Sequence, residues 1–208
     1  MSANEYHCEI YLTLPHDPGP DAAGRVEGLL RDRQIACVLL RANEHGSVER
    51  PLADDLREVA HRHETAFLVE SDLEAALALE ADGIHLGADP GLLARARSAL
   101  GEDQQIGVSC GLQRHIAMEM GELGADYVAF DAEGAPMEAL GETIEWWAEI
   151  FLLPCIAWGL TSVQDALSCA GQGADFVALH EDLWSSPAEL SAMMAELDTR
   201  FAQARDAA

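Results

Sequence analysis

The chain has 208 residues, of which 49% are hydrophobic, and 37 acidic residues outnumber 12 basic ones, giving a formal net charge of −25. Every basic residue is an arginine, which excludes Schiff-base and P-loop lysine chemistry. The negative charge argues against binding to nucleic acid or to an anionic membrane surface. Neither a signal peptide nor an apolar run of the roughly 20 residues that a membrane span needs is recognisable. We therefore expect a cytoplasmic protein with a single domain over residues 1–208.

Eight apolar, β-prone runs alternate with eight amphipathic runs along the chain. The predicted strands are 8–14, 35–41, 65–69, 83–86, 105–109, 127–130, 154–157 and 176–179. The predicted helices are 21–33, 51–63, 72–80, 90–100, 112–123, 136–150, 162–170 and 187–205. Strict alternation of eight strands with eight helices predicts an α/β fold of the (β/α)8 TIM-barrel type rather than an open doubly wound sheet.

One short phrase recurs three times, at 80–86, 124–130 and 173–179. Its second and third residues are always Ala-Asp, and two of the three copies begin with glycine. Glycine takes the left-handed conformation that ends a helix, alanine permits close packing, and aspartate can bond to the backbone of a turn. The phrase therefore predicts three turns from a helix into a buried parallel strand.

Charged residues follow several of the predicted strands, at the barrel face where active sites lie. Arg41 can clamp a phosphate or a carboxylate, or it can form a salt bridge with a neighbouring acid. Glu70, Asp72 and Asp89 can together bind Mg²⁺, because hard cations prefer carboxylate oxygens. Asp72 fits a helix N-cap equally well, and Asp89 fits a turn.

Uncharged candidates lie at the same face. His85 alternates with apolar neighbours and can face a ligand from the barrel top, or it can be a hydrogen-bonded core histidine. Ser109 can donate its hydroxyl proton to a ligand, and Gly159 can bring backbone amides close to one or simply permit tight packing. The five cysteines form no CxxC pair and are expected to be buried free thiols, with Cys110 at a strand end the one to watch.

Five segments carry a family signature: ADGIHLG at 81–87, IGVS at 106–109, GADYVAF at 124–130, PCIAWGL at 154–160 and GADFV at 173–177. Through them the chain resembles the thiamine phosphate synthase family. The resemblance implies a barrel enzyme that joins a hydroxymethylpyrimidine diphosphate to a thiazole phosphate, with Mg²⁺-assisted loss of pyrophosphate and a pyrimidine carbocation. Arg41 and Ser109 are then the expected catalytic residues. The expected residues for binding the phosphorylated substrate are Arg41, Ser109, Gly159 and His85.

The chain departs from the family pattern at several strand ends. The family's Gln-x-Arg-x-Lys reads LLRAN at 39–43, which keeps only Arg41, and the loop 131–136 is acidic and lacks the family's lysine. These departures indicate a degenerate active site and leave an alternative open, namely a catalytically inactive or repurposed barrel that binds a small molecule or regulates. Trp146 and Trp147 are about 100° apart on one predicted helix, so both can be buried only if one of them faces a neighbouring helix or the partner subunit of a homo-oligomer.

Overall fold

The computed structural model describes residues 8–206, in which eight parallel strands close into a barrel in sequence order. The strands are β1 Glu9–Leu14, β2 Ile35–Leu40, β3 Ala66–Glu70, β4 Gly83–Gly87, β5 Gln105–Ser109, β6 Tyr127–Asp131, β7 Cys155–Leu160 and β8 Phe176–Leu179. The helices are α1 Ala22–Leu30, α2 Arg50–Arg62, α3 Leu73–Leu79, α4 Pro90–Leu100, α5 Arg114–Glu122, α6 Met137–Ile150, α7 Val163–Gly171 and α8 Pro187–Asp206. In this described part of the chain, no helix has the length and apolar character needed to cross a membrane.

The (β/α)8 barrel prediction is confirmed, with each predicted strand and helix present and shifted by three residues or fewer at its ends. The largest shift among the strands is at β7, which continues to Leu160, where its pairing with β8 skips a register step after Ala157. The structure also places a short 3-10 helix, Glu181–Ser185, between β8 and α8. The single domain over 1–208 stays a prediction, because it includes residues outside the described range.

Two apolar layers hold the barrel together. The larger one lies between the strands and the surrounding helices, and it buries side chains such as Leu56, Phe67 and Trp147. The smaller one fills the barrel interior with Tyr11, Cys37, Leu39, Leu68, Tyr127, Ala129, Ile156 and Ala178. Alternate residues of each strand face one layer or the other, as the two-residue period of a strand requires. The interior is thus a packed core and not a channel.

The recurrent Ala-Asp phrase has the same structural role in all three copies. Each aspartate pairs with one residue at the start of the preceding strand, either its first or its second residue. The backbone N–H of that residue donates to the aspartate carboxylate, and the backbone N–H of the aspartate donates to the carbonyl oxygen of the same residue. The carboxylate bonds join Asp82 to Phe67 (2.7 Å), Asp126 to Ile106 (2.6 Å) and Asp175 to Cys155 (2.8 Å). We call these contacts the aspartate clamps. They tie β3 to β4, β5 to β6 and β7 to β8 at the strand starts.

The residue before each Ala-Asp pair adopts a left-handed backbone. Gly124 and Gly173 have φ values of 96° and 102°, whereas Glu80 in the first copy has a φ of 50°. The three alanines that follow are buried. Glycine takes this conformation without steric cost, but a residue with a Cβ atom is strained there by about 1–2 kcal/mol. The first copy therefore keeps the turn geometry in spite of an unfavourable residue.

Candidate active site

Polar side chains meet at the carboxyl ends of the strands. Arg41 directly follows β2, Glu70 ends β3, Ser109 ends β5 and Gly159 lies near the end of β7. Glu181 begins the 3-10 helix that follows β8. Because all strands are parallel, these residues lie on one face of the barrel, which we call the mouth.

Arg41 is held between two carboxylates. Its Nε lies 2.8 Å from the carboxylate of Glu70, and its Nη1 lies 2.7 Å from that of Glu181. Burial lowers the pKa of the guanidinium, but its bonds to Glu70 and Glu181 and their charges outweigh that effect and raise it. The sequence left open a salt bridge or an anion clamp at Arg41. The structure shows the salt bridge, with a third of the side chain still exposed.

The three carboxylates predicted to bind Mg²⁺ do not converge. The carboxylate of Glu70 accepts bonds from Arg41 and from the N–H of Ala42. Asp72 accepts the N–H of Ala75 as the cap of α3, and Asp89 in the same way caps α4. Among residues 8–206, no group of three or more His, Cys, Asp or Glu side chains is arranged to hold a metal ion. In this arrangement the predicted ligands do not fit a magnesium site, and the cofactor itself stays a prediction.

His85 lies inside the barrel and bonds at both ring nitrogens. Its Nε2 is 2.8 Å from Ser109 Oγ, and its Nδ1 is 3.0 Å from the hydroxyl of Tyr127. The side chain is 1% exposed, and burial together with the positive charge of Arg41 lowers its pKa to about 3. His85 is therefore neutral at physiological pH. This is the hydrogen-bonded core histidine that the sequence allowed, and its predicted contact with a phosphate would have to pass through Ser109.

Trp158 covers His85 from above. The two rings are stacked, with centroids 4.6 Å apart and planes 17° from parallel. The indole also packs against Tyr11 at a centroid distance of 5.6 Å, and it is only partly buried. The barrel interior is thus closed by an aromatic ring, and Ser109, also partly buried, is the polar group of this cluster that reaches the mouth.

The backbone conformation at position 159 favours glycine. Its φ is +78°, a conformation that residues with a side chain rarely adopt. A Cβ atom there would lie 3.3 Å from Oδ2 of Asp131 on the neighbouring strand. The carboxylate of Asp131 also accepts the N–H of Glu133 at 2.7 Å. Gly159 therefore brings the β7 backbone close to the acidic loop that follows β6.

The cysteines form no site. All five are free and buried, as the sequence predicted. Cys110 is the one at the mouth, and its Sγ bonds to the carbonyl oxygen of Val108 at 3.5 Å. Burial raises the pKa of its thiol to about 12, so it is protonated and a poor nucleophile at neutral pH.

Sequence reasoning missed Tyr11 and Tyr127 as members of the polar cluster. The two phenol oxygens are 2.9 Å apart in the barrel interior. The signal that could have found them is Gly107, which pairs in register with His85 on one side and with Tyr127 on the other. A glycine between two polar, inward-facing positions indicates that one side chain reaches across the strand to the other.

A cavity of about 620 Å³ lies away from the mouth, next to the ends of α6 and α7. Its lining includes Phe151, Gln172 and Gly173, which precede β7 and β8. This is the strand-start face of the barrel, which in such folds serves stability and not catalysis. The mouth is therefore the better candidate for the active site.

The closed barrel makes this a protein of the (β/α)8 barrel class, and its polar mouth lies on the face where enzymes of that class carry their active sites. A family model described as thiamine monophosphate synthase matches residues 10–183. The chain belongs to this family, and the resemblance drawn from the strand phrases is confirmed.

Named relatives match over nearly the whole chain. The thiamine-phosphate synthase of Erythrobacter litoralis is 35% identical over 196 residues, which cover 89% of this chain and 92% of the relative. That of Rhodospirillum centenum is 32% identical over 200 residues, covering 92% and 96%. The solved structure of a thiamine phosphate pyrophosphorylase from Pyrococcus furiosus superimposes with a TM-score of 0.71 at 22% identity, over 93% of this chain and 98% of that one. That structural likeness supports the fold.

Proposed function

We propose that this protein joins a hydroxymethylpyrimidine diphosphate to a thiazole phosphate, forming thiamine phosphate and releasing pyrophosphate. The observation that carries the proposal is the match, at 32–35% identity and over about nine tenths of the chain, to relatives named thiamine-phosphate synthase. No comparable observation favours the inactive or repurposed barrel. The phosphorylated substrates are also consistent with a site that offers an arginine, a hydroxyl and a closely approaching backbone.

The reaction requires groups that stabilise negative charge on the departing pyrophosphate. We assign Arg41 the role of cation, because its planar guanidinium can bond two phosphate oxygens at once. To do so it exchanges a carboxylate, Glu70 or Glu181, for a phosphate. Ser109 donates a hydroxyl proton to the same anion, and Gly159 allows the backbone of β7 to approach it. These three residues form the proposed catalytic and phosphate-binding set.

Magnesium is part of the proposal on the family's implication alone. Proteins usually bind Mg²⁺ through one or two carboxylates together with substrate phosphates, so a preassembled protein cage is not required. The assay therefore includes arms with Mg²⁺, with EDTA and with neither. A cytoplasmic location and a homo-oligomeric state also remain predictions.

The decisive experiment incubates the purified protein with both phosphorylated precursors and measures the formation of thiamine phosphate and the release of pyrophosphate. Turnover is expected with Mg²⁺, and Ser109→Ala is the matched variant in which it should fall. An absence of turnover, together with an absence of any thermal shift with thiazole phosphate or pyrophosphate, would reject the proposal. A thermal shift without turnover, combined with failure to rescue a thiamine-auxotrophic strain, would favour the repurposed barrel instead.

A further inference from the structure

A chain of four hydrogen-bonded side chains crosses the otherwise apolar interior of the barrel. It runs from Tyr11 through Tyr127 and His85 to Ser109, with successive distances of 2.9, 3.0 and 2.8 Å. Tyr11, Tyr127 and His85 are all buried, and only Ser109 is partly exposed. Buried polar groups cost folding free energy unless they are fully bonded, so every proton in this chain needs an acceptor. We call these four residues the polar relay.

The register of three strands makes room for the polar relay. His85 on β4 pairs with Gly107 on β5, and Gly107 pairs in turn with Tyr127 on β6. A Cβ atom on Gly107 would lie 1.8 Å from Cζ of Tyr127, which is physically impossible. The phenol of Tyr127 therefore occupies the place of the missing side chain, and it passes over β5 to reach the imidazole.

A neutral imidazole has one donor nitrogen and one acceptor nitrogen, so the polar relay has two possible orders. In the inward order, Ser109 donates to His85 Nε2, and Nδ1–H donates to Tyr127. In the outward order, Tyr11 donates to Tyr127, Tyr127 donates to Nδ1, and Nε2–H donates to Ser109. The proton of Ser109 is bonded to His85 in the first order and faces the mouth in the second.

We propose that His85 is a positioning residue, which together with Tyr127 and Tyr11 directs the hydroxyl proton of Ser109 outward to an anionic oxygen at the mouth. The inference rests on the proposed function only in taking the ligand of the mouth to be a phosphate. A deprotonated phosphate oxygen accepts hydrogen bonds but donates none. A serine in the inward order would present lone pairs to it, so anion binding selects the outward order and with it the Nε2–H tautomer of His85.

His85 acts through Ser109 and not on the ligand itself. Trp158 stacks on its ring at 4.6 Å, and its side chain is 1% exposed, so neither nitrogen is accessible from the mouth. Burial and the charge of Arg41 lower its pKa to about 3, so it does not exchange protons as an acid or base near neutral pH. Its two nitrogens are also both occupied by relay partners.

The first test is a double-mutant cycle read out by calorimetric titration of inorganic pyrophosphate into the full-length protein. Tyr127→Phe removes one phenol oxygen behind His85, and we expect pyrophosphate to bind about three- to tenfold more weakly. In the Ser109→Ala background the same substitution should have no further effect, because the hydroxyl that it orients is gone. Independent contributions would instead add, and additive losses would overturn the proposal.

A matched control removes a buried hydroxyl elsewhere. Thr143 on α6 is buried and donates its Oγ1 proton to the carbonyl oxygen of Ala139 at 2.8 Å. Thr143→Val therefore has a cost in stability similar to that of Tyr127→Phe but does not touch the polar relay. It should leave the affinity for pyrophosphate unchanged, and a loss equal to that of Tyr127→Phe would mean that the relay only stabilises the fold.

The second test observes the polar relay of the wild-type protein directly. Nitrogen NMR of the histidine rings in the wild-type protein, assigned with His85→Asn, reports which nitrogen carries the proton. Pyrophosphate should move His85 to the Nε2–H tautomer. An Nδ1–H tautomer with pyrophosphate bound, or no binding of pyrophosphate at all, would overturn the proposal. If the enzyme turns over but pyrophosphate does not produce the Nε2–H tautomer of His85, the positioning role alone is rejected. If pyrophosphate produces that tautomer but the protein shows no turnover, the proposed function alone is rejected.

Discussion

The two faces of the barrel use carboxylates in opposite ways. At the strand starts, Asp82, Asp126 and Asp175 each accept a backbone N–H from a neighbouring strand, and the first two also contact His61 and Arg97. At the mouth, the carboxylates of Glu70 and Glu181 share one guanidinium. The aspartate clamps join groups that are always present in the folded chain. At the mouth, by our proposal, a phosphate replaces one of the two carboxylates bound to Arg41.

Because of this difference, the carboxylates that stabilise the barrel and those that affect ligand binding lie on opposite faces of the molecule. A carboxylate that accepts a strand N–H stabilises the barrel whatever occupies the mouth. The carboxylates beside Arg41, whose side chain is one-third exposed, are partly screened by solvent, and under the proposed function they compete with an incoming phosphate for the same cation. Substitutions at the strand starts should therefore change the free energy of unfolding, and those at the mouth should change binding and turnover.

Arg41→Ala should have the largest effect and should act at the mouth alone. Loss of the proposed phosphate cation should lower kcat/KM about 10²–10³-fold, since one charge-stabilising donor contributes on that scale. Steady-state kinetics with both precursors measures it. Glu181→Gln is the matched variant, because it frees the guanidinium from one competitor, and it should bind pyrophosphate more tightly. Equal losses in both variants would contradict the exchange of carboxylate for phosphate.

Asp126→Ala should have the next largest effect and should act on stability alone. It leaves the N–H of Ile106 and the guanidinium of Arg97 without their carboxylate, at a cost of about 2–3 kcal/mol in the free energy of unfolding. Urea denaturation measures the change. Asp126→Asn keeps an oxygen acceptor and should lose less. A fall in turnover per folded molecule would show that the strand starts and the mouth are coupled.

Acid should destabilise the barrel through His85. Its pKa falls from 6.5 in the unfolded chain to about 3 in the folded one, so the unfolded chain binds this proton more readily. The stabilisation is present above pH 6.5 and is lost as the pH falls toward 3, by about 1.5 kcal/mol between pH 6.5 and 5. Unfolding measured across that range in the wild type and in His85→Asn isolates the contribution of His85 to the free energy of unfolding. Parallel curves for the two proteins would refute it.

The smallest expected effect concerns the left-handed turns at the strand starts. Glu80→Gly should raise the free energy of unfolding by about 0.5–1 kcal/mol, because relief of the strained φ exceeds the added entropy of the unfolded chain. Gly124→Ala is the mirror change and should lower it by about 1 kcal/mol, since no neighbouring atom would obstruct the new Cβ. Thermal melts of the two variants should therefore move in opposite directions.

The strand starts could be predicted from the sequence because their interactions are local and repeated. The Ala-Asp phrase predicted all three helix-to-strand turns, and the aspartates lie only 15 to 20 residues from the N–H groups that they accept. The partner of each aspartate is nevertheless a strand residue and not the turn itself. The phrase predicted a bond to the backbone, but register was needed to say which one.

The mouth could be predicted only as a list of candidates. Glu181 lies 140 positions from Arg41, and Tyr127 lies 116 positions from Tyr11. Such pairs form only because the barrel closes with a particular strand register, and no local sequence pattern specifies that register. Asp72 and Asp89 show the same limit, since both residue types suit a metal site and both serve here as helix caps. The residue types indicated which side chains could bind an anion or a metal, but their actual hydrogen-bond and ion-pair partners follow from the geometry of the closed barrel.

The aspartate clamps also have a consequence for the order of folding. Each one closes a short loop, so β3 to β8 can form as three locally closed pairs, and short loops close at low entropic cost. The pair β1 and β2 has no such clamp in the described chain, and the N–H of Gln34 before β2 instead contacts Asp198 on α8, 164 positions away. We expect pulsed hydrogen exchange to find β1 and β2 protected last, and early protection would contradict this. Closure of the barrel would then follow the packing of α8 against the start of β2.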